Sequence, residues 1–139
     1  MSSVPKAAFS FIDFKVKEFS FRDNDNTNNE LSLSLKPRGE FDLNTNRFKL
    51  FLAFDTFIDE EEFIKAIFEF NFQIETSQSG DIPSFFYKNS LGIAFPYIRS
   101  FISTLTLQAG ISPLILPLLN LGGLEKEYIE NVKIIEKDK

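Results

Sequence analysis

The chain has 139 residues, with 15 Lys and Arg against 20 Asp and Glu and a net charge of −5. That length fits one domain, 1–139, with a core of its own, and the acidic balance speaks against a nucleic-acid partner, which needs a basic face. With no Cys and no His, disulfides, thiolate or imidazole metal sites, the usual nucleophiles and the usual neutral-pH base are excluded.

The first residues, MSSVPKAAFSFIDFK, hold no long apolar core before a cleavage site and do not read as a signal peptide. Residues 8–22, AFSFIDFKVKEFSFR, alternate but slip phase. Phe9 and Phe11 share one parity, Ile12, Phe14 and Val16 the other, and Phe19 and Phe21 return. The pattern predicts a strand with two bulges or one strong bend. Residues 23–29, DNDNTNN, are a loop of turn formers. In residues 30–36, ELSLSLK, Leu31, Leu33 and Leu35 fall on one face in period two, and Pro37-Arg38-Gly39 reads as a turn.

Residues 47–58, RFKLFLAFDTFI, are apolar on both faces, as in a strand that is central or covered twice. Asp59 to Glu62 predict an acidic hairpin turn or a short helical turn. Residues 63–76 carry the cleanest period: Ile64, Ala66, Phe68, Phe70, Phe72 and Ile74 on one face, Phe63, Lys65, Ile67, Glu69, Asn71, Gln73 and Glu75 on the other. Four strands with short connections predict an antiparallel sheet.

Residues 77–83 form a loop, and 84–92 read as a short helix ending at Gly92. Pro96 suits the first turn of a second helix, about 20 Å long, with Tyr97, Phe101, Leu105 and Ala109 repeating every four residues beside Ile98 and Ile102. Gly110 is its stop. The segment Ile111–Leu121 is too apolar for an ordinary loop. Pro113 and Pro117 interrupt it, and it falls short of the roughly 18–20 residues a membrane helix needs. Its leucines either cap the sheet or form part of a groove for another apolar chain. A last helix is predicted from Leu124 to about Ile135, with Leu124, Tyr128, Val132 and Ile135 inward.

The acidic cluster Asp59, Glu60, Glu61, Glu62 lacks the spacing and glycine of a calcium loop and reads as a solvated turn. Gly92, Gly110, Gly122 and Gly123 make no phosphate loop, and no serine stands beside a base or in a GxSxG motif. No catalytic residue, metal ligand or cofactor is expected. Phe invites a different question. There are 18 Phe and no Trp, and such a chain has either a very large core or an apolar surface to share.

From residue 91 the pattern LGIAFPYIRSFISTLTLQAGISPLILPLLNL resembles the SecB family of export chaperones. Phe95, Pro96, Tyr97 and Arg99 match the opening of that family's long helix, Gly110 its end, and Pro113, Leu114, Leu116, Pro117 and Asn120 the proline- and leucine-rich connection. The resemblance implies an α+β fold: a four-stranded antiparallel sheet packed by a long helix and a shorter C-terminal helix. It implies a cytoplasmic homotetramer, a dimer of dimers with long helices at its centre, where Phe101, Ile102 and Leu105 are the interfacial candidates. It implies a holdase that uses neither ATP nor metal and keeps unfolded preproteins competent for the Sec pathway. The client groove would be lined by Ile111, Leu114, Leu116, Leu118, Leu119, Leu121, Phe68 and Phe70. The SecA motor would be met through an acidic sheet face at Glu18, Ile67 and Glu69.

Three positions depart from the pattern. Arg22 stands where an acid that contacts SecA would be expected, DNDNTNN lacks groove aromatics, and the tail KIIEKDK is short and not clearly acidic. These departures leave room for a SecB-like chaperone of a dedicated client such as an antitoxin. From a different class, the Phe face also fits a carrier of a small apolar ligand, and a purely structural oligomerisation module would bury the same surfaces permanently.

Overall fold

The computed structural model describes residues 8–23, 31–75, 82–111 and 121–136. Four strands follow one another, β1 (Phe9–Phe21), β2 (Leu31–Asp42), β3 (Arg47–Ile58) and β4 (Glu61–Ile74), then α1 (Phe86–Gln108), α2 (Leu121–Glu130) and a short β5 (Val132–Ile135). The sheet order is β1-β4-β3-β2-β5. The first four strands pair antiparallel, as expected, and β5 adds a parallel fifth beside β2.

Strand β4 lies between β1 and β3, and its predicted apolar face, Ile64 to Ile74, is buried along its whole length. The phase slips in β1 are two bulges, at Ile12 and Lys17, each of which returns the phenylalanines to the inner face. Phe9, Phe11, Phe14, Val16, Phe19 and Phe21 thereby pair with inward residues of β4, and Ile12 turns outward, 41% exposed. A third irregularity in β4 leaves Phe63 without a partner in β3. The Thr56 hydroxyl repairs it, accepting from the Ile64 N–H at 2.9 Å and donating to the Ile64 carbonyl at 3.2 Å. The acidic turn is a two-residue hairpin turn, with φ of 52° at Asp59 and 67° at Glu60, the sign at both centres that matches strand twist.

Four expectations need correction. Pro37-Arg38-Gly39 is no turn; β2 runs through it to Asp42, and the chain reverses at 43–46. The Gly39 N–H donates sideways to the Asn131 carbonyl at 3.1 Å. Pro37, two residues earlier, therefore aims its missing donor at the same side, beyond the start of β5, where no ladder bond is lost. Residues 84–92 and the long helix are one element, α1, about 35 Å long. Pro96 stands inside it, and the carbonyl it fails to serve, on Gly92, is at an exposed position open to water. The inward line of α1 is Ser90, Ala94, Ile98, Ile102 and Thr106 with Leu91 and Phe95, one residue on from the predicted Tyr97–Ala109 stripe. The last helix ends at Glu130, and Val132 and Ile135 lie in β5; Tyr128 is buried as expected.

Gly110 is the predicted helix stop, with φ of 82°. The Ile111 N–H reaches back to the Thr106 carbonyl and the Gly110 N–H to that of Leu107, both at 3.2 Å, the paired bonds of a left-handed C-terminal cap. Phenylalanine fastens helix to sheet. Phe86 meets Phe48, Phe9 and Phe72 edge to face, at 4.7, 4.9 and 5.2 Å between centroids, each pair worth about 0.5–1.5 kcal/mol beyond its area. Tyr128 fastens α2. It is fully buried, packs on Phe48 and Tyr87, and shares a 3.0 Å hydrogen bond with Ser90.

Two predictions follow from these contacts. A Cβ on Gly39 would lie 2.5 Å from Phe48 Cζ, and four aromatic neighbours hold that ring in place. Gly39→Ala should therefore cost about 1–3 kcal/mol in denaturant unfolding, whereas Gly92→Ala, at an open position, should not destabilise. Burial pushes the Tyr128 phenol far above its ordinary value. The folded chain then keeps a proton that the unfolded chain releases above about pH 10, so stability is intact below that pH and falls as it rises. Tyr128→Phe should lose about 0.5–1.5 kcal/mol at neutral pH and show a shallower alkaline decline.

Candidate functional site

The sheet has one face under α1 and α2 and another that, among the described residues, no helix covers. Where β1 meets α1 on the inner side, aromatics pass from the core to the surface. Phe68 and Phe70 are fully buried. Phe68 lies beneath Phe14 and Phe101 at 6.0 and 5.6 Å, and Phe70 beneath Phe14 and Tyr97 at 5.0 and 6.2 Å. Both therefore form the floor of the seam and do not line an opening in the single chain. The rings that reach solvent there are Tyr97, 41% exposed, Phe19, 50% exposed, and Phe85, 51% exposed beside Phe9. Phe19 packs against Phe101 and Tyr97 against Phe11. The sequence places Phe19 on the inner face with the other phenylalanines of β1 but does not mark it as the more exposed ring.

The other groove candidates are placed as follows. Ile111, just past the α1 cap, is half-buried against the core. Leu114, Leu116, Leu118 and Leu119 lie outside the described residues, and Leu121 opens α2. Of the interface candidates, Ile102 is fully buried in the chain's own core, which takes it off any surface that two copies could share. Phe101 and Leu105, on the flank of α1, are half-buried.

The uncovered sheet face brings the three motor-contact candidates together. Glu18 and Ile67 are cross-strand neighbours, and the rung continues through Ala53 to Lys36. The next rung reads Lys15, Glu69, Phe51, Arg38. Glu69 is only 3% exposed. Lys15 and Lys49 flank it at 3.9 Å each, and the Asn71 amide donates to it at 3.0 Å. The Arg38 guanidinium lies 4.0 Å over the Phe51 ring and pairs with Glu40 at 3.1 Å. The face is thus an apolar strip, Phe51, Ala53 and Ile67, inside alternating charges, and of the two candidate carboxylates Glu18 alone is exposed.

A cavity of about 250 Å³ opens on this face where β2 meets the end of α2, lined by Lys36, Pro37, Arg38, Phe51, Ala53, Ile67, Glu127 and Asn131. It falls below the 300–1,000 Å³ usual for small-molecule sites and suits a side chain. Among the described residues no three metal-ligating side chains gather, and no helix is long and apolar enough to cross a membrane.

No protein-family model matches the chain. A solved structure with similar architecture is the Mycobacterium tuberculosis Rv1957 SecB-like chaperone in complex with a ChAD peptide from the Rv1956 HigA1 antitoxin. It has a TM-score of 0.65 and 17% identity, over 81% of this chain and 88% of that one. A protein of unknown function from Streptococcus agalactiae aligns at a TM-score of 0.46 and 9% identity, over 81% of this chain and 100% of that one. In sequence, the uncharacterized protein MJ0357 of Methanocaldococcus jannaschii is 30% identical over 144 residues, 96% of this chain and 92% of the relative. The chain has the SecB-like fold and belongs to the family of Methanocaldococcus jannaschii MJ0357.

Proposed function

We propose that this protein is an ATP-independent chaperone that binds unfolded segments of other polypeptides on apolar surface. The observation that carries the reading is the SecB-like fold joined to the apolar connection Ile111–Leu121, which starts directly at the α1 cap. Apolar groups at the rim of the core support it. Phe19, Tyr97, Leu107, Ile129 and Ile134 are all exposed on a chain with a well-filled interior, and are apolar groups within reach of a partner. Binding by burial of apolar side chains tolerates many client sequences.

Two client classes fit, a preprotein passed to SecA and a dedicated client. The uncovered face favours the second. A basic motor is steered by exposed carboxylates, and here Glu69 is already neutralised by Lys15 and Lys49, while Lys36 and Arg38 stand on the same rungs as Glu18 and Glu69. Rv1957, in complex with a peptide from an antitoxin, is a fold neighbour that accords with this class. The carrier of a small apolar ligand finds less support, because rings fill the space between α1 and the sheet.

The test is a titration of a permanently unfolded, fluorescently labelled protein. Wild type should bind without nucleotide, and Leu116→Ser with Leu118→Ser should weaken binding at least tenfold with the oligomer mass unchanged; equal binding would remove the connection from the groove. Assembly through α1 is tested separately. Leu105→Glu, at a half-buried flank position, should reduce the native mass to that of a smaller species that keeps its circular dichroism spectrum. An unchanged mass would place the interface elsewhere.

A further inference from the structure

Five rungs cross the uncovered face between Asp42 and Ser34. In four of them every charge stands beside a partner. Lys15 and Lys49 flank Glu69, and Arg38 pairs with Glu40. Lys65 is opposite Asp55, Arg47 is opposite Asp42, and Asp13 accepts from the Asn71 amide at 2.7 Å.

The fifth rung reads Glu18, Ile67, Ala53, Lys36. Its two charges stand at opposite ends, three strand spacings or about 14 Å apart, with two apolar side chains between them. Both are exposed, and neither forms an ion pair among the described residues. Lys17, bulged next to Glu18, forms none with it, and Glu127 on α2 forms none with Lys36. A lone charge in water is ordinary. What sets this rung apart is that its apolar middle opens into the cavity of about 250 Å³, where Phe51, Ala53 and Ile67 lie between Lys36 and the α2 wall at Glu127 and Asn131.

We infer that this rung docks a partner protein through an extended segment that carries an acid, a large apolar residue and a base at every second position. The occupant follows from charge and spacing. Alternate side chains of an extended chain point the same way, and the first and fifth lie about 13 Å apart, which matches the rung. The acid reaches Lys36, with Arg38 beside it, the apolar side chain enters the cavity, and the base reaches Glu18. A uniformly basic or uniformly acidic segment satisfies one end and is repelled at the other, so the rung selects by charge order. The cavity holds one side chain and not a length of unfolded polypeptide. The inference stands apart from the chaperone reading, because the exposed rings Phe19 and Tyr97 pack on the helix side of the sheet. A partner on the rung leaves that side open.

The test uses the full ¹⁵N-labelled chain and a capped synthetic peptide, Gly-Glu-Ser-Leu-Ser-Lys-Gly, read by amide shifts at Glu18, Lys36, Ala53 and Ile67. It should bind about fivefold more tightly than the same peptide with two glutamates or with two lysines, and serine in place of its leucine should remove the shifts. Lys36→Glu should transfer the preference to the two-lysine peptide and Glu18→Lys to the two-glutamate peptide. Both positions are exposed, so the remaining amide spectrum should stay intact. Equal affinity for the three peptides, or a preference that neither variant moves, overturns the proposal. Displacement of the bound peptide by a permanently unfolded protein assigns the rung to client binding and overturns it. A fall in native mass on Lys36→Glu assigns the rung to a second copy and also overturns it.

Discussion

The structure depends on one strand with a strict two-residue period. β4 is paired on both sides, and its alternate residues from Ile64 to Ile74 are excluded from water. A shift of one residue would send six apolar side chains to the uncovered face and bring Lys65 and Glu69 beneath the helix, so the register of the sheet centre is fixed by burial alone. Everything else adapts to β4. β1 bulges twice to keep its phenylalanines over β4's inner face, Thr56 patches the place where β3 and β4 lose step, and α1 lies across the result on a bed of edge-to-face rings. Half of the 18 Phe are consumed here: Phe41, Phe48, Phe54, Phe63, Phe68, Phe70, Phe72, Phe86 and Phe95 are buried.

The remaining phenylalanines explain why this fold has surface to offer. One sheet backed by two helices has a single core layer, and β1 and the flank of α1 fall at its margin. Phe19, Phe101 and Tyr97 pack against one another's neighbours and stay partly wet. The opposite sheet face is different in character. There the apolar strip is narrow and flanked by charges of both signs, and the carboxylate of Glu69, the most deeply buried one among the described residues, is balanced by two lysines. Association through the inner rim needs apolar partners, and association through the outer face would need a partner that matches mixed charge.

Local periodicity made the four strands, the bulges of β1, the burial of Tyr128 and the stop at Gly110 legible in the sequence, because each depends on residues within a few positions of itself. What misled was context. Leu124, Tyr128, Val132 and Ile135 have helical spacing, yet the last two pair with Gly39 and Asp42, a long-range contact that no local pattern announces. Pro37 and Gly39 are turn formers by type, but Pro37 lies where no described strand pairs with the outward side of β2, and Gly39 makes room for the Phe48 ring. Pro96 reads as a helix start and is a helix interior, because burial of Phe86 and Leu91 outweighs one lost bond. For the site, Glu69 reads as an exposed acid, and only its cross-strand lysines disclose that it is spent. Phe68 and Phe70 are fully buried, and period two alone does not separate a core ring from a groove wall.

The central claim is that the apolar margin and connection hold unfolded chains with no energy source. The most direct measurement is light scattering of a slowly folding, unrelated protein diluted from denaturant, with this protein present at near-equal subunit concentration and no nucleotide. The account predicts that aggregation is suppressed in proportion to subunit concentration up to a fixed ratio. Undiminished aggregation in the presence of well-folded protein would contradict it.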